Sequence, residues 1–419
     1  MKQRVPVKGG LVLQGSVLEV LAELPDESFH SGVTSPAYWK LRDYQCEGQM
    51  GQEPLHDCGA WAIGNEPCDL CYVCGLRKVF REIWRVLRRD GVFMLNLGDS
   101  YNGSGGAGGD YSKGGLRAGQ PKYGGRNVGS LKQKDMALVP ERVALALQAD
   151  GWWVRNLVIW HKSNGMPSSA QDRFSTDFEH VWVLTRSRFY FFDQDAVKVP
   201  YTKPMNRWGG EKLTAKGESA RDKGTGQSTY RDRDFRPDPE GRTRRSVWKI
   251  PTKSCDWDYC YGCCSLFQNR ARKRIIRDGE ERECPNCGSR ECWVGHFAAF
   301  PPALVEPCIK ATTSEKGCCE TCGSPMVRRS KGTHKKQKKK LPDGCLLVYD
   351  AWSPSCSCIN KKIVDGVFVG FETVPCRVLD PFAGSGTVGV VSKGLGRVFL
   401  GIDLKPEYVA VANARIVES

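Results

Sequence analysis

The chain predicts an α/β fold built around a mainly parallel sheet. Three observations carry that expectation. The first third alternates short apolar runs with amphipathic stretches, the β–α–β rhythm of a parallel sheet. Near the C-terminus a glycine turn, Gly384-Ser385-Gly386-Thr387-Val388-Gly389, follows an apolar run at 377–380. Only about one further β–α unit fits after that turn, so the strands completing its sheet must come from earlier in the chain.

The elements follow in order. Leu11-Val12-Leu13 is a short strand. Val17, Leu18, Leu21 and Leu24 have helical spacing. Residues 29–33 form the next strand. Leu76, Phe80, Ile83 and Leu87 predict an amphipathic helix over 75–89, closed by Asp90-Gly91. Residues 92–97 read as a buried strand. A helix is expected over 137–149, then strands near 154–160 and 181–185. Residues 300–305 open a helix with proline in its first turn. A strand at 377–380, the glycine turn, a helix to about residue 395, a strand at 397–403 and a helix at 406–416 complete the pattern.

Composition sets limits. At 419 residues and 40% hydrophobic, most of the chain should fold into a sizeable core. No apolar run is long enough to cross a bilayer, and Met1-Lys2-Gln3-Arg4 leads into no apolar signal region. A cytoplasmic protein of a bacterial or phage-infected cell is expected, with no membrane partner. Lys+Arg number 62 and Asp+Glu 47, a net charge of +15 that attracts polyanions. Residues 102–129 are rich in glycine and read as a loop beside the active face. Residues 203–245 are polar and charged, either a DNA-contacting insert or a solvated linker.

A strand, a glycine turn and a helix make a cofactor cradle, because glycine admits close backbone approach and the helix N-terminus offers free N–H groups. Asp403 ends the following strand, where a carboxylate can grip a ribose diol. This pattern alone fits a nicotinamide dinucleotide as well as S-adenosylmethionine.

Two further motifs narrow the reading. Asp380-Pro381-Phe382-Ala383-Gly384-Ser385-Gly386-Thr387 and Thr34-Ser35-Pro36-Ala37-Tyr38-Trp39 together resemble the beta-type, permuted family of S-adenosylmethionine (SAM)-dependent DNA amino-methyltransferases, N4-cytosine or N6-adenine specific. Gly98-Asp99-Ser100-Tyr101 resembles phage and prophage members. The resemblance covers most of 10–185 and 295–416. It implies a Rossmann-like class I methyltransferase sheet, circularly permuted, with the catalytic motif first and the SAM loop last. It also implies that Asp380, Phe382, Gly384, Ser385, Gly386, Thr387 and Asp403 bind SAM, with Phe300 and Pro301 at its methionine end. Ser16 stands where an Asp is typical and would accept a hydrogen bond from the adenine.

An exocyclic base amine is a weak nucleophile because its lone pair is delocalised into the ring. A hydroxyl and a carbonyl that accept its N–H bonds favour a tetrahedral nitrogen. By resemblance these are Ser35 and the carbonyl of Pro36, with Tyr38 stacking on a flipped base and Trp39 walling the pocket. Ala37 replaces the family's usual second proline, so the backbone after Pro36 is less restrained. Serine at 35 favours cytosine N4 over adenine N6. A cytosine C5 enzyme would need a nucleophilic Pro-Cys, and none of Pro67-Cys68, Pro307-Cys308 or Pro375-Cys376 sits at a matching strand end.

Twenty cysteines without a secretory signal argue against a disulfide scaffold and for zinc. Three ligand sets emerge: Cys58, Cys68, Cys71 and Cys74; Cys260, Cys263, Cys284 and Cys287; and Cys319, Cys322, Cys356 and Cys358. Cys318 competes for a place in the third. None holds a Glu base and an open position, so one to three structural zinc ions are expected, in zinc-ribbon-like inserts.

The resulting organisation has a catalytic half at 1–200, carrying a cysteine insert at 46–74 and the glycine-rich loop. A target-recognition and zinc-ribbon insert follows at 201–294. The SAM-binding half is 295–419, with a Cys/Lys-rich insert at 317–375. The partner expected is double-stranded DNA, in restriction–modification or phage-DNA protection. A homodimer and a companion restriction endonuclease are left open. Rival readings are an N6-adenine enzyme, a decayed zinc-containing DNA binder, an RNA methyltransferase and an NAD oxidoreductase.

Overall fold

The computed structural model describes residues 11–419 except 45, 57, 60–61, 104–130, 166–167, 169, 202–239, 254–256, 269–282, 290–292, 295–300, 329–338, 341–345, 348–351, 359–360 and 365–366. The expectations for the glycine-rich loop, most of the 203–245 insert and Phe300 therefore fall outside the described residues. No helix among the described residues is long and apolar enough to cross a membrane.

The chain runs β1 (Leu11–Gln14), α1 (Val17–Glu23), β2 (Phe29–Thr34), α2 (Tyr72–Val86), β3 (Leu87–Leu97), α3 (Val139–Ala149), β4 (Trp153–His161), β5 (Phe178–Thr185) and β6 (Val247–Lys249). Short strands follow: β7 (Trp257–Cys260), β8 (Ser265–Gln268) and β9 (Trp293–Val294). After α4 (Pro302–Thr312) come β10 (Met326–Arg328), β11 (Lys339–Lys340), β12 (Leu346–Leu347), β13 (Trp352–Pro354), β14 (Lys361–Val364) and β15 (Val367–Phe371). The chain closes with β16 (Arg377–Asp380), α5 (Thr387–Gly394), β17 (Val398–Asp403) and α6 (Pro406–Glu418).

The main sheet has eight strands in the order β1-β17-β16-β2-β3-β5-β4-β6. Neighbours from β1 to β3 are parallel. β5 is the antiparallel exception, wedged between β3 and β4. The C-terminal strands β16 and β17 thus lie between β1 and β2, and the glycine turn shares a sheet edge with the early strands, as the short remaining chain requires.

Helices cover both faces. Along β3, Phe93, Leu95 and Leu97 point into a core with Leu76, Phe80 and Ile83 of α2 and Val143 and Leu147 of α3. The alternate residues Val92 and Met94 face a second core with Leu304, Val305 and Ile309 of α4, Val388 of α5 and Ile416 of α6. A strand buried on both faces reads as a continuous apolar run, which is why 92–97 shows no polar alternation.

One boundary departs from expectation. α2 starts at Tyr72, with the Cys71 sulfur accepting from the Cys74 N–H, and gives way to β3 at Leu87. Asp90-Gly91 does not close the helix. It lies inside β3, where the Arg88 Nε donates to Asp90 Oδ1 at 2.8 Å and Nη2 to Oδ2 at 3.0 Å. The ion pair settles a dipeptide that sequence alone reads as a turn.

Residues 194–245 form a second compact unit. Its described part holds a 3-10 turn, Asp195–Val197, and a backbone exchange between Val199 and Arg242 at 2.9 Å in each direction.

Candidate active site and cysteine clusters

The two sequence motifs meet at one cavity of about 620 Å³. Ser35, Pro36, Ala37 and Tyr38 wall one side, at the C-terminal end of β2. Phe382, Gly384, Ser385 and Thr387 wall the other, with Asp403 and Ser16 beside them. All descend from the carboxyl ends of parallel strands, where open α/β sheets place their ligands.

The glycine turn is tightly specified. Gly386 has φ +75°, and a Cβ there would meet Ala412 Cβ at 2.8 Å and Ala412 Cα at 3.0 Å. The Gly384 N–H donates to Asp403 Oδ2 at 2.8 Å, and the Lys405 N–H donates to Oδ1 at 3.0 Å. Burial pushes the Asp403 carboxyl above its usual range, against those backbone donors. Ser16 precedes α1 and makes no side-chain capping bond, so its hydroxyl is not used by the helix. Tyr44 and Tyr408, also on the wall, meet edge to face at 6.2 Å.

Asp380 takes a different place from the one expected. It is buried and absent from the cavity wall. Its Oδ1 accepts from Thr34 Oγ1 at 2.7 Å and from the Phe382 N–H at 3.1 Å. It therefore clamps the glycine turn to the end of β2. Burial raises its pKa to about 7, with those two donors opposing. Gly386 and Pro301 also lie off the wall.

Trp39 is likewise turned away from the pocket. It is 1% exposed, packs in the core beside α2, and donates from Nε1 to the Glu53 carbonyl at 2.9 Å. An indole with one polar atom is more stable there, with that atom satisfied, than at a wet wall.

Around Ser35 the structure adds residues that the sequence reading missed. Ser35 Oγ donates to the Tyr38 hydroxyl at 3.1 Å, and Tyr38 donates to Glu179 Oε2 at 2.6 Å. Asn96 Nδ2 donates to the Tyr38 hydroxyl at 2.7 Å and to Glu179 Oε2 at 2.8 Å. Lys162 pairs with Glu179 Oε1. Burial first, then the Glu179 charge, holds the Tyr38 phenol well above its ordinary pKa, so it stays a donor. Gly98 makes room for this ring, since a Cβ there would meet Tyr38 Cε2 at 2.7 Å. Glu179 could have been noticed as a carboxylate at the start of an apolar strand, but its partners come from β3, β4 and the loop after β2.

All three expected cysteine sets assemble. Within each set the four sulfurs lie within 4.8 Å of one another. Cys58 Sγ is 3.6 Å from Cys71 Sγ and 3.4 Å from Cys74 Sγ. Cys260–Cys287 and Cys263–Cys284 are each 3.6 Å. A zinc tetrathiolate with Zn–S near 2.3 Å has S···S edges of about 3.8 Å, so these donor sets fit the ion. Burial raises the Cys68 thiol, but backbone N–H bonds from Leu70 and Cys71 outweigh it and bring the pKa to about 6. Cys318 is not in the third set. It joins His30 and Cys376 in a buried group whose imidazole is already engaged, Nε2 with the Gly323 carbonyl at 2.8 Å and Nδ1 with the Arg377 N–H at 3.0 Å.

The family model described as DNA methylase, of the N6/N4 group, matches residues 29–319 and 377–414. The chain belongs to this DNA methylase family. It is 31% identical over 415 residues to the type II methyltransferase M.SfiI of Streptomyces fimbriatus, covering 94% of this chain and 88% of that one. It is 29% identical to M.XycI of Xanthomonas campestris pv. cyanopsidis, covering 98% and 88%. The solved PvuII cytosine-N4-specific DNA methyltransferase superposes with TM-score 0.49 at 14% identity, over 98% of this chain and 86% of that one. As a DNA methylase of the N6/N4 group, the protein is a DNA amino-methyltransferase. Its cavity brings the Ser35–Tyr38 segment and the glycine turn face to face.

Proposed function

We propose that this methylase transfers the methyl group of SAM to cytosine N4 of a flipped base in duplex DNA. The observation that carries the reading is the shared cavity, in which a hydroxyl, Ser35, and a proline carbonyl segment face the glycine turn and Asp403. SAM supplies an electrophilic methyl group when bound. Asp403, Gly384, Ser385, Thr387, Phe382 and Ser16 are the residues that hold it, the unused Ser16 hydroxyl serving the adenine. Ser35 and the Pro36 carbonyl accept the amine N–H bonds and favour a nucleophilic nitrogen. Fixing both reactants in one pocket removes much of the entropic barrier.

The permuted order of the family supports assigning catalysis to the N-terminal half and SAM binding to the C-terminal half. The excess of basic residues supports DNA as partner, with 201–294 as the recognition region. The three tetrathiolate sets support one structural zinc each. The first set sits at the head of α2, beside Tyr72, whose hydroxyl donates to the Ala37 carbonyl at 2.8 Å.

The test is nucleoside mass spectrometry of mixed-sequence duplex DNA methylated with isotope-labelled SAM. N4-methylcytosine is expected. N6-methyladenine would keep the machinery and overturn the base. Neither product would favour a decayed zinc-containing DNA binder.

A further inference from the structure

Beyond the expected Ser35 and Pro36, the pocket holds a carboxylate that the reading above leaves without a task. Glu179 is 8% exposed, lines the cavity, and ends a continuous chain of donors: Ser35 Oγ to Tyr38 Oη at 3.1 Å, Tyr38 Oη to Glu179 Oε2 at 2.6 Å. We propose that Glu179 is a positioning residue that draws the amine proton away from the methylated base through Tyr38 and Ser35.

The need for such a path follows from the chemistry, and the inference rests on the amino-methyl-transfer reading. The amine nitrogen forms a bond to the transferred methyl carbon as the donor's S–C bond breaks, and that electron pair stays on sulfur. The nitrogen is then left with a positive charge and one proton too many. That proton passes to Ser35 Oγ, the Ser35 hydroxyl proton to Tyr38 Oη, and the phenolic proton to Glu179 Oε2. Glu179 ends as a neutral acid and releases the proton to water on the Lys162 side, where the lysine is part-exposed.

A serine hydroxyl alone is a poor proton sink, whereas a carboxylate two hydrogen bonds away is a good one. The surroundings keep the path aligned. Asn96 Nδ2 touches both Tyr38 Oη and Glu179 Oε2, at 2.7 and 2.8 Å, fixing their separation. The groups facing the carboxylate are Lys162 from β4, Asn96 from β3 and Tyr38. Lys162 holds Oε1 and leaves Oε2 for Tyr38. The raised phenol pKa keeps Tyr38 protonated, as a relay donor must be.

The experiment is a double-mutant cycle on single-turnover methyl transfer to duplex DNA, with Ser35→Ala, Glu179→Gln and the double variant, and with Tyr38→Phe alongside. SAM and DNA dissociation constants are measured for each. Glu179→Gln is expected to slow transfer about 100-fold with both dissociation constants held within about twofold. In the Ser35→Ala background it is expected to cost nothing further, because the path is already cut. Tyr38→Phe is expected to match Glu179→Gln. An unchanged rate in Glu179→Gln, full additivity with Ser35→Ala, or loss of SAM or DNA affinity in step with rate would overturn the relay. Wild-type protein that transfers no methyl group to DNA would refute the proposed function and the relay together. Transfer to adenine by the wild type would refute only the cytosine assignment, and the cycle would still decide the relay.

Discussion

Thr34 at the end of β2 donates a 2.7 Å hydrogen bond to Asp380 at the end of β16, joining residues 346 apart in sequence. The bond fixes the spacing between the Ser35 segment and the glycine turn. Both groups are buried, so removing the donor leaves a carboxyl oxygen with one partner fewer in an apolar setting. Thr34→Val should cost about 1–3 kcal/mol by denaturant unfolding and weaken SAM binding in parallel.

Asp380 also sets a pH dependence. Burial raises its folded pKa to about 7, above the unfolded value near 3.9. A raised folded pKa contributes stability that is full below the unfolded value and is lost as pH rises through the folded one. The wild type should therefore lose stability relative to Asp380→Asn between about pH 4 and 7, and the gap should level off above that. Denaturant midpoints of the two proteins across this range measure it.

Gly386 is predicted to tolerate no side chain. A Cβ would meet Ala412 at 2.8 Å, and the φ of +75° disfavours any L residue. Gly386→Ala should destabilise by about 1–3 kcal/mol, and Ala412→Gly should restore only part of this, since it relieves the contact and not the dihedral angle. Thermal unfolding of the two single variants and the double variant tests this.

Metal content provides a separate check. Purified protein should carry one zinc equivalent per tetrathiolate set, and Cys284→Ser should remove one of them by elemental analysis. Tyr72→Phe should keep every equivalent yet slow methyl transfer about tenfold, because the Ala37 carbonyl loses its 2.8 Å donor and the loop after Ser35 loosens. Chelator treatment should lower the melting temperature without proteolysis or added denaturant.

Much of this was readable from residues alone, for identifiable reasons. The strands β1, β2, β16 and β17 and the helices α4 to α6 follow from apolar runs punctuated by Gly and Pro. The cysteine sets follow from C-x2-C spacing, which survives the long insertions between paired motifs. Sequence failed where a long-range contact overrides a local signal. Asp90-Gly91 looks like a turn until Arg88 holds it in β3. Trp39 looks like a pocket wall until the Glu53 carbonyl draws its N–H into the core. Glu179 and Asn96 carry no local motif, because their role exists only once β3 and β5 pair in register, Asn96 two positions from the strand end opposite Val181.

The most direct test of the central claim separates the two walls of the cavity. Labelled SAM binding and DNA methyl transfer are measured together for wild type, Ser35→Ala and Asp403→Ala. The account predicts that Asp403→Ala loses SAM binding, while Ser35→Ala binds SAM normally and transfers methyl at least about 100-fold more slowly. Ser35→Ala that methylates at the wild-type rate, or Asp403→Ala that binds SAM unchanged, would contradict it.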